Sequence, residues 1–259
     1  MSDGQRPPPA AAVTTALVLA AGEGSRLRSV VADRPKPLVR VAGRTVLEHN
    51  LHSLAAIGVQ DVWINLHTQA DQIRAHVGSG ARLGLRVQYS FEPSLLGTAG
   101  AAGRLRRELG QATFLVVYGD NLCGLDLLDL IAYHRQRAAL ATIAIFDPEQ
   151  VPNTGLAGGR LVLQPDGRVA RFEEGAASGG RFVNAGIYVL EPAVLAAIPD
   201  DRPSDFGRDV FPALLAAEAP VYGYPLDGYC LGIDTPPALE RAEQLLADTA
   251  LRARFEVPA

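Results

Sequence analysis

The residues from Leu17 to Leu38 combine an apolar run, a loop of small side chains and two basic positions, in the order LVLAAGEGSRLRSVVADRPKPL. Backbone N–H groups can approach an anion closely where side chains are small, so this loop is suited to hold phosphate. Arg26 and Lys36 would add positive charge there. An ordinary glycine-containing turn gives a similar pattern, because short glycine motifs are common. The small residues of the loop are Ala20, Ala21, Gly22, Gly24 and Ser25.

Two aspartates are candidates for holding a metal ion. Asp120 follows the apolar run 113–118 almost directly, and Asp234 stands just before Thr235, which the sequence predicts as a helix N-cap. Carboxylate oxygens at these places can reach a metal in a ligand crevice. Each aspartate also has an interpretation without metal, since Asp120 can cap a turn and Asp234 can favour the start of the helix electrostatically.

The histidines and cysteines form no reactive pattern. The five histidines show neither metal-ligand nor nucleophile–base spacing, and we expect them at the surface. Cys123 and Cys230 are too few for a disulfide framework and have no CxxC spacing, which favours buried thiols. Chemistry is therefore expected from the loop, the two basic residues and the two aspartates.

Alternating strands and helices position these residues. The order from Thr15 is βαβαβ, which predicts a parallel sheet covered by helices on both faces, with ligands at the carboxyl ends of the strands. Thr45 and Glu48 predict a capping box, and Gly58 predicts the end of that helix. The segments are a helix over 45–57, a strand over 59–66, a capped helix over 68–77, a strand over 85–90, a helix over 97–109, a strand over 113–118 and a helix over 125–137.

The pattern changes near residue 141 to short strands separated by turns. This change predicts one domain over 14–259 with two halves, about 14–140 and about 141–259, and no flexible linker separates them. Residues 1–13 are expected to be a disordered tail, because a proline run followed by alanines offers little to bury. The later segments are strands over 142–146, 160–163, 169–172 and 182–190, a helix over 204–217 and a helix from Thr235 onwards.

Composition narrows the class of protein. The 259 residues are 48% hydrophobic and 20% charged, as in a soluble globular protein, and the net charge of −4 gives no footprint for nucleic acid. The N-terminus lacks the features of a signal peptide, and no run of about 18 apolar residues is present. We therefore expect a cytoplasmic protein, monomeric or a small homo-oligomer, with neither nucleic acid nor membrane as a partner.

Five blocks over about residues 15–245 resemble the sugar-1-phosphate nucleotidyltransferase family, whose members make NDP-sugars from an NTP and a sugar 1-phosphate. The resemblance implies a Rossmann-like (GT-A-like) α/β fold with a mixed, mostly parallel sheet, helices on both faces and a smaller β-rich acceptor-side subregion. It places the nucleotide on the N-terminal half, the sugar phosphate on the C-terminal half and Mg²⁺ between them. The blocks are LAAGEGSRLRSVVADRPKPLV, LLGTAGA at 95–101, VVYGDN at 116–121, VNAGIYVL at 183–190 and GYCLGIDTP at 228–236.

The same resemblance implies roles for individual residues. Arg26 would bind the leaving β- and γ-phosphates, Lys36 would bridge the α-phosphate and the acceptor phosphate, and Asp120 would hold Mg²⁺. Nucleotide contacts are implied for Leu19, Ala20, Ala21, Gly22, Glu23, Gly24, Ser25, Gly97, Thr98 and Gly119. Contacts to the sugar phosphate are implied for Asn121, Glu174, Asn184 and Gly186.

Two positions depart from the family pattern. The metal-binding aspartate of the last block usually stands where this chain has Gly232, and glycine usually stands where it has Asp234. Either Asp234 reaches the metal by a local change in the loop, or Asp120 works with water and substrate phosphates alone. A lysine that often binds the acceptor phosphate is replaced by Gly175, and the candidates to substitute for it are Arg171, Arg181 and Arg208.

The segments VWINLHTQADQI and SDFGRDVFP resemble the mannose-1-phosphate and heptose-1-phosphate guanylyltransferase branches. We therefore expect transfer of a nucleoside monophosphate, from GTP first, to a hexose or heptose 1-phosphate. The alternatives are uridylyl or thymidylyl transfer to a hexose 1-phosphate, and a regulatory homologue that binds a nucleotide or NDP-sugar without turnover.

Overall fold

A nine-stranded mixed sheet organises the computed structural model, which describes residues 12–22, 34–156, 158–175, 179–248 and 250–251. The strands, including four outside this sheet, are β1 (Thr15–Leu19), β2 (Arg40–Val41), β3 (Arg44–Thr45), β4 (Asp61–Leu66), β5 (Arg86–Phe91), β6 (Phe114–Tyr118), β7 (Asn121–Gly124), β8 (Ala141–Phe146), β9 (Arg160–Leu163), β10 (Val169–Glu173), β11 (Phe182–Leu190), β12 (Val221–Pro225) and β13 (Tyr229–Gly232). The α-helices are α1 (Val46–Ala56), α2 (Ala70–Val77), α3 (Gly97–Arg104), α4 (Arg106–Leu109), α5 (Leu127–Gln136), α6 (Phe211–Ala216) and α7 (Pro236–Leu246). Shorter turns of 3₁₀-helix lie at Lys36–Leu38, Ala81–Leu83 and Pro192–Ala197, and a π-helical turn lies at Phe206–Val210.

The parallel part of the sheet is β6-β1-β4-β5. β1 pairs in parallel with β4 and β6, and Leu19 at its end lies opposite Asn65 and Tyr118. These strands are apolar because both faces are covered, with Val18 in the core on one face and Leu17 in the core on the other. The carboxyl ends of β1, β4 and β6 therefore meet at one edge of the sheet.

The second half joins the same sheet through β11. This strand pairs antiparallel with β6, β8 and β9, while β12 pairs in parallel with β8. The mixed Rossmann-like α/β fold is thus confirmed, and the strands of the second half continue the sheet of the first half. Among the described residues, no helix is long and apolar enough to cross a membrane.

Two small strand pairs were missing from the prediction. β2 and β3 form a hairpin, and β7 pairs antiparallel with β13, with Asn121 opposite Gly232. A third core cluster supports the β7–β13 pair and includes Leu122, Leu231 and Ile233. This pairing places the residues that flank β7 and β13 side by side.

Several helix boundaries differ from the prediction. α1 has the predicted capping box of Thr45 and Glu48. α2 begins later than predicted, because Gln69 adopts a left-handed conformation with φ of 56° and serves as the N-cap without a side-chain bond, so the prediction of a capped helix from residue 68 was wrong. The predicted helix over 97–109 is divided at Leu105, and the one over 204–217 is the π-helical turn followed by α6.

The N-terminal prediction falls largely outside the described residues, since these begin at residue 12. Val13 is already buried against the core, with 3% of its surface exposed. The division into a nucleotide half and a sugar-phosphate half remains a prediction.

Candidate active site

Lys36 lies between the two aspartates that the sequence singles out. Its Nζ donates to Oδ2 of Asp120 over 2.7 Å and to Oδ1 of Asp234 over 2.6 Å. The lysine side chain is 8% exposed, and those of Asp120 and Asp234 are 33% and 22% exposed. Pro35 and Pro37 flank Lys36 in its 3₁₀ turn and restrict the backbone there. The site is therefore a compact group of one cation and two anions at the carboxyl edge of the sheet.

The charge state of Lys36 follows from these contacts. Burial acts to lower the pKa of Lys36, but attraction and hydrogen bonds from Asp120 and Asp234 outweigh it, and the pKa lies above its usual value of 10.5. The ammonium group is therefore retained at neutral pH. It offsets the repulsion between two carboxylates that face the same point.

Gly232 and Asp234 are related through the end of β13. A Cβ atom at position 232 would lie 3.2 Å from Oδ2 of Asp234 and would also contact Leu156. The carboxylate of Asp234 thus reaches back beside the position where a side chain on residue 232 would begin. The antiparallel pairing of β7 and β13 brings it to Asp120, which directly precedes β7.

The small-residue loop that is predicted to hold phosphate is described as far as Gly22. The N–H of Ala20 donates to Oδ1 of Asn65 over 2.7 Å, and the N–H of Gly119 donates to the carbonyl of Leu19 over 2.8 Å. A Cβ atom on Gly119 would lie 2.9 Å from that carbonyl oxygen, so this close approach requires glycine. The remaining predicted loop residues, which lie outside the described residues, are Glu23, Gly24, Ser25 and Arg26.

The Gly97–Thr98 turn contacts a segment from the second half of the chain. Gly97 has φ of +78°, and a Cβ atom there would collide with the carbonyl of Ser204. Thr98 donates from its N–H and its hydroxyl to Oδ1 of Asp205 over 2.9 and 3.2 Å, and its hydroxyl accepts from the N–H of Phe206. The turn is therefore fixed by residues 204–206.

Three of the four predicted sugar-phosphate residues lie together. Gly186 donates its N–H to Oδ1 of Asn184 over 3.0 Å, and Asn121 donates to the carbonyl of Ala185 over 3.4 Å. Asn184 also donates to the hydroxyl of Tyr188, which donates to that of Tyr118. Loss of hydration on burial raises the pKa of both tyrosines, so both hydroxyls stay protonated.

Glu174 is exposed and makes no hydrogen bond to Asn121, Asn184 or Gly186, all of which the structure describes. Its carboxylate is so near Gly207 that a Cβ atom there would collide with it. Gly175, where the acceptor-side lysine is missing, has φ of +102°.

The three candidate replacement arginines all face carboxylates. Arg171 pairs with Glu173, Arg181 with Asp147 and Arg208 with Asp205. Of these, Arg208 lies next to Gly207 and pairs with Asp205, which also accepts hydrogen bonds from Thr98.

Several polar residues around the site were not predicted from the sequence. Asn50 donates to the carbonyls of Tyr118 and Asn121 from α1, and Asn65 and Glu92 are bonded to each other near the ends of β4 and β5. Polar side chains at the carboxyl ends of buried strands were the available signal for Asn65 and Glu92.

The expectation of surface histidines was wrong at two positions, since His49 and His134 are 9% and 1% exposed and bond Val41 and Thr142. Their packing is explained by these hydrogen bonds, which satisfy ring nitrogens in the core. Cys123 and Cys230 are free thiols whose sulfurs lie 3.4 Å apart across β7 and β13.

Comparisons with known proteins give the family of this chain. The family model described as "Nucleotidyl transferase" matches residues 15–249. The mannose-1-phosphate guanylyltransferase of Mycobacterium tuberculosis is 34% identical over 226 residues, covering 85% of this chain and 61% of the relative. The UTP–glucose-1-phosphate uridylyltransferase of Synechocystis is 33% identical over 227 residues, covering 82% of this chain and 58% of the relative. The chain thus spans about three fifths of the length of these relatives.

A solved structure shares the fold along its whole length. HddC from Yersinia pseudotuberculosis superposes with a TM-score of 0.75 at 25% identity, covering 90% of this chain and all of that one. Its complex with GMP-PN superposes with a TM-score of 0.73. On the family match over nearly the whole described chain, this protein belongs to the nucleotidyl transferase family.

Proposed function

We propose that this chain transfers a nucleoside monophosphate from an NTP to a sugar 1-phosphate and releases pyrophosphate. The observation that carries the proposal is the buried ammonium of Lys36 between Asp120 and Asp234, at the edge of the sheet where the small-residue loop begins. The family match and the names of the relatives support the same reaction class.

The reaction joins two strongly anionic substrates. A phosphate oxygen of the sugar 1-phosphate attacks the α-phosphorus of the NTP, and the bond to pyrophosphate breaks, so no covalent enzyme intermediate is needed. Lys36 is the described cation that we assign to the α-phosphate and the acceptor phosphate. The backbone of residues 19–22 would hold the remaining phosphate oxygens, and Arg26 would bind the leaving group.

Nucleotidyl transferases of this family generally use a divalent metal, and we propose Mg²⁺. The residues fit it, because Asp120 and Asp234 turn two hard oxygen donors toward one place, which Lys36 Nζ fills in this structure, and the ammonium would have to leave that place to the ion. Bound there, the ion would supply charge stabilisation for the phosphate oxygens. Asp234 then takes the part that the family pattern gives to position 232.

The acceptor sugar is assigned to the second half of the chain. Asn121, Asn184 and Gly186 lie together next to Asp120 in the fold, and Glu174 lies beside Gly207. Arg208 is the proposed substitute for the lysine missing at Gly175.

We propose GTP as the donor and a hexose or heptose 1-phosphate as the acceptor. Several relatives are named mannose-1-phosphate guanylyltransferases, and the HddC structure was solved with GMP-PN. Uridylyl transfer to a hexose 1-phosphate is the second candidate, because a uridylyltransferase is similar to this chain to nearly the same degree.

A matrix of NTPs against sugar 1-phosphates, with pyrophosphate release measured with and without Mg²⁺, tests the function. We expect one NTP and one class of sugar to dominate, with activity dependent on Mg²⁺. Silence throughout the matrix together with tight nucleotide binding would instead support a regulatory homologue without turnover.

The role of Asp234 has its own test. Asp234→Ala should lower turnover by about 100-fold or more with nucleotide binding largely kept, if this carboxylate holds the metal. An unchanged rate would leave Asp234 as a residue that only favours the start of α7. Glu240→Ala, which removes an exposed acidic residue within the same helix, is the matched control.

A further inference from the structure

A chain of buried hydrogen bonds connects two loops at the carboxyl edge of the sheet. The N–H of Ala20 donates to Oδ1 of Asn65 over 2.7 Å, and Nδ2 of Asn65 donates to Oε1 of Glu92 over 2.9 Å. The second oxygen of Glu92, Oε2, accepts from the N–H of Leu96 over 3.0 Å. Asn65 is 4% exposed and Glu92 is 1% exposed, so neither side chain is placed to contact solvent.

The ends of this chain lie in two separate parts of the candidate nucleotide site. Ala20 is the first residue after β1 and begins the small-residue loop. Leu96 is the N-cap of α3 and directly precedes the Gly97–Thr98 turn. Asn65 and Glu92 are themselves fixed, one within β4 and the other by its N–H, which donates to the carbonyl of Leu66.

We propose that Asn65 and Glu92 are positioning residues that set the distance between Ala20, where the small-residue loop begins, and the Gly97–Thr98 turn. Neither touches substrate in this arrangement, and both act through the backbone of Ala20 and Leu96. The inference rests on the proposed function in one respect, namely that these two loops hold the NTP. It predicts that the pair controls nucleotide affinity and leaves affinity for the sugar phosphate nearly unchanged.

The identities of the two side chains follow from the direction of the hydrogen bonds. Both ends of the chain are backbone donors, so each needs an acceptor. An amide provides one acceptor and one donor, and a carboxylate provides two acceptors. Asparagine followed by glutamate therefore satisfies all three bonds, whereas aspartate or glutamine at either place alone does not. Leaving one of these buried groups unsatisfied is costly.

Exchanging the amide of residue 65 and the carboxylate of residue 92 reverses the direction of the hydrogen bond between them and gives the test. In Glu92→Gln, the new NH₂ group faces either the NH₂ of Asn65 or the N–H of Leu96, and two donors oppose each other. In Asn65→Asp, two carboxylates oppose each other at a position where the present oxygen and nitrogen are 2.9 Å apart. In the double variant the new carboxylate accepts from Ala20 and from the new amide, whose oxygen accepts from Leu96, and the total charge is that of the wild type.

We expect each single variant to weaken binding of GTP or UTP with Mg²⁺ by roughly 10-fold or more, as for loss of one buried hydrogen bond. The double variant should recover affinity to within about 3-fold of the wild type. The KM for the sugar 1-phosphate should change by less than about 2-fold throughout, because no bond of the chain reaches that side. Gln88→Glu, an added charge at an exposed position of β5, is the control and should leave nucleotide affinity unchanged.

Calorimetric nucleotide binding is the primary readout, so the test does not depend on turnover. If the wild type binds nucleotide but shows no turnover, the proposed function is contradicted. The nucleotide affinities of the two single variants and the double variant can still be compared. If both single variants fail to fold, the double variant decides alone. A folded double variant with nucleotide affinity near that of the wild type supports the inference. A folded double variant that binds nucleotide more than about 10-fold more weakly than the wild type overturns the inference. Single variants that bind nucleotide normally, or that change chiefly the KM for the sugar phosphate, would overturn it as well.

Discussion

Replacement of Lys36 by methionine removes the one described charge between Asp120 and Asp234 while keeping a long side chain. The bonds from Nζ are 2.7 and 2.6 Å, so the two bonded carboxylate oxygens lie no more than 5.3 Å apart, the sum of those distances. Without the ammonium, both carboxylates remain charged and face each other across that gap.

The expected cost follows from Coulomb's law. Two unit charges about 5.3 Å apart repel by about 3 kcal/mol at an effective dielectric constant of about 20 and by about 1 kcal/mol in bulk water. The two aspartates are partly exposed, so the value should lie between these limits. A loss of about 2 kcal/mol corresponds to a fall in melting temperature of about 4–8 °C for a chain of this size.

Thermal unfolding with and without Mg²⁺ measures the effect. We expect Lys36→Met to be less stable without Mg²⁺ and to gain more stability from Mg²⁺ than the wild type does, because a cation can then take the place of the ammonium. Turnover should fall by about 100-fold or more, as for other losses of charge stabilisation at a reacting phosphate. Arg40→Met removes the same charge from an exposed position nearby and should change none of these quantities.

Two results would refute this reasoning. A variant as stable as the wild type without Mg²⁺ would show that Lys36 does not offset repulsion between the carboxylates. Equal stabilisation of both proteins by Mg²⁺ would show that the cation binds somewhere other than between Asp120 and Asp234.

Three further predictions concern the surroundings of the site. Gly97→Ala should destabilise the protein by about 1–3 kcal/mol more than Gly84→Ala in denaturant unfolding. Both glycines have positive φ, but only a Cβ atom on Gly97 would collide with a carbonyl, that of Ser204. Equal losses of stability in the two variants would refute this. Ser204→Ala should be neutral or stabilising by up to about 1 kcal/mol, because the buried hydroxyl has no hydrogen-bond partner among the described residues. A clear loss of stability in this variant would mean that the hydroxyl is hydrogen-bonded. Burial lowers the pKa of His134 from its usual 6.5, against an opposing effect of Glu191, so the unfolded chain binds more protons and the unfolding free energy should fall as the pH drops below 6.5. This fall in unfolding free energy, measured by chemical denaturation, should be smaller in His134→Gln. An identical pH dependence of stability in the variant and the wild type would contradict the prediction.

Elements of the fold could be predicted from the sequence where the signal is contained in a few neighbouring residues. The capping box of Thr45 and Glu48 defined the start of α1, and the pattern of short strands separated by turns predicted strands over 169–172 and 182–190, where β10 and β11 lie. The glycine and small-residue loop likewise predicted where β1 ends, because that signal needs no distant partner.

The remaining features depend on distant partners. β7 and β13 are four residues each, and their pairing joins positions more than a hundred residues apart. The residues around Asp120 therefore could not indicate its proximity to Asp234, which only the family resemblance suggested. The π-helical turn before α6 reflects Pro212, which has no N–H to continue the α-helical bonds into the preceding turn. Asn65 and Glu92 were missed because each is an ordinary polar residue until the sheet brings their strand ends together.

The contact of residues 204–206 with the start of α3 limits how far the chain can be divided. The first N–H groups of this helix, at Thr98, Ala99 and Gly100, donate to Asp205 and to the carbonyl of Ser204. They are therefore not available to hold phosphate, and the positive end of the helix is already satisfied by the other half of the chain. A fragment ending near residue 140 would leave these donors open and would deprive β6 of its neighbour β11. The first half of the chain is thus complete only when the second half is folded onto it, and the two are not interchangeable modules.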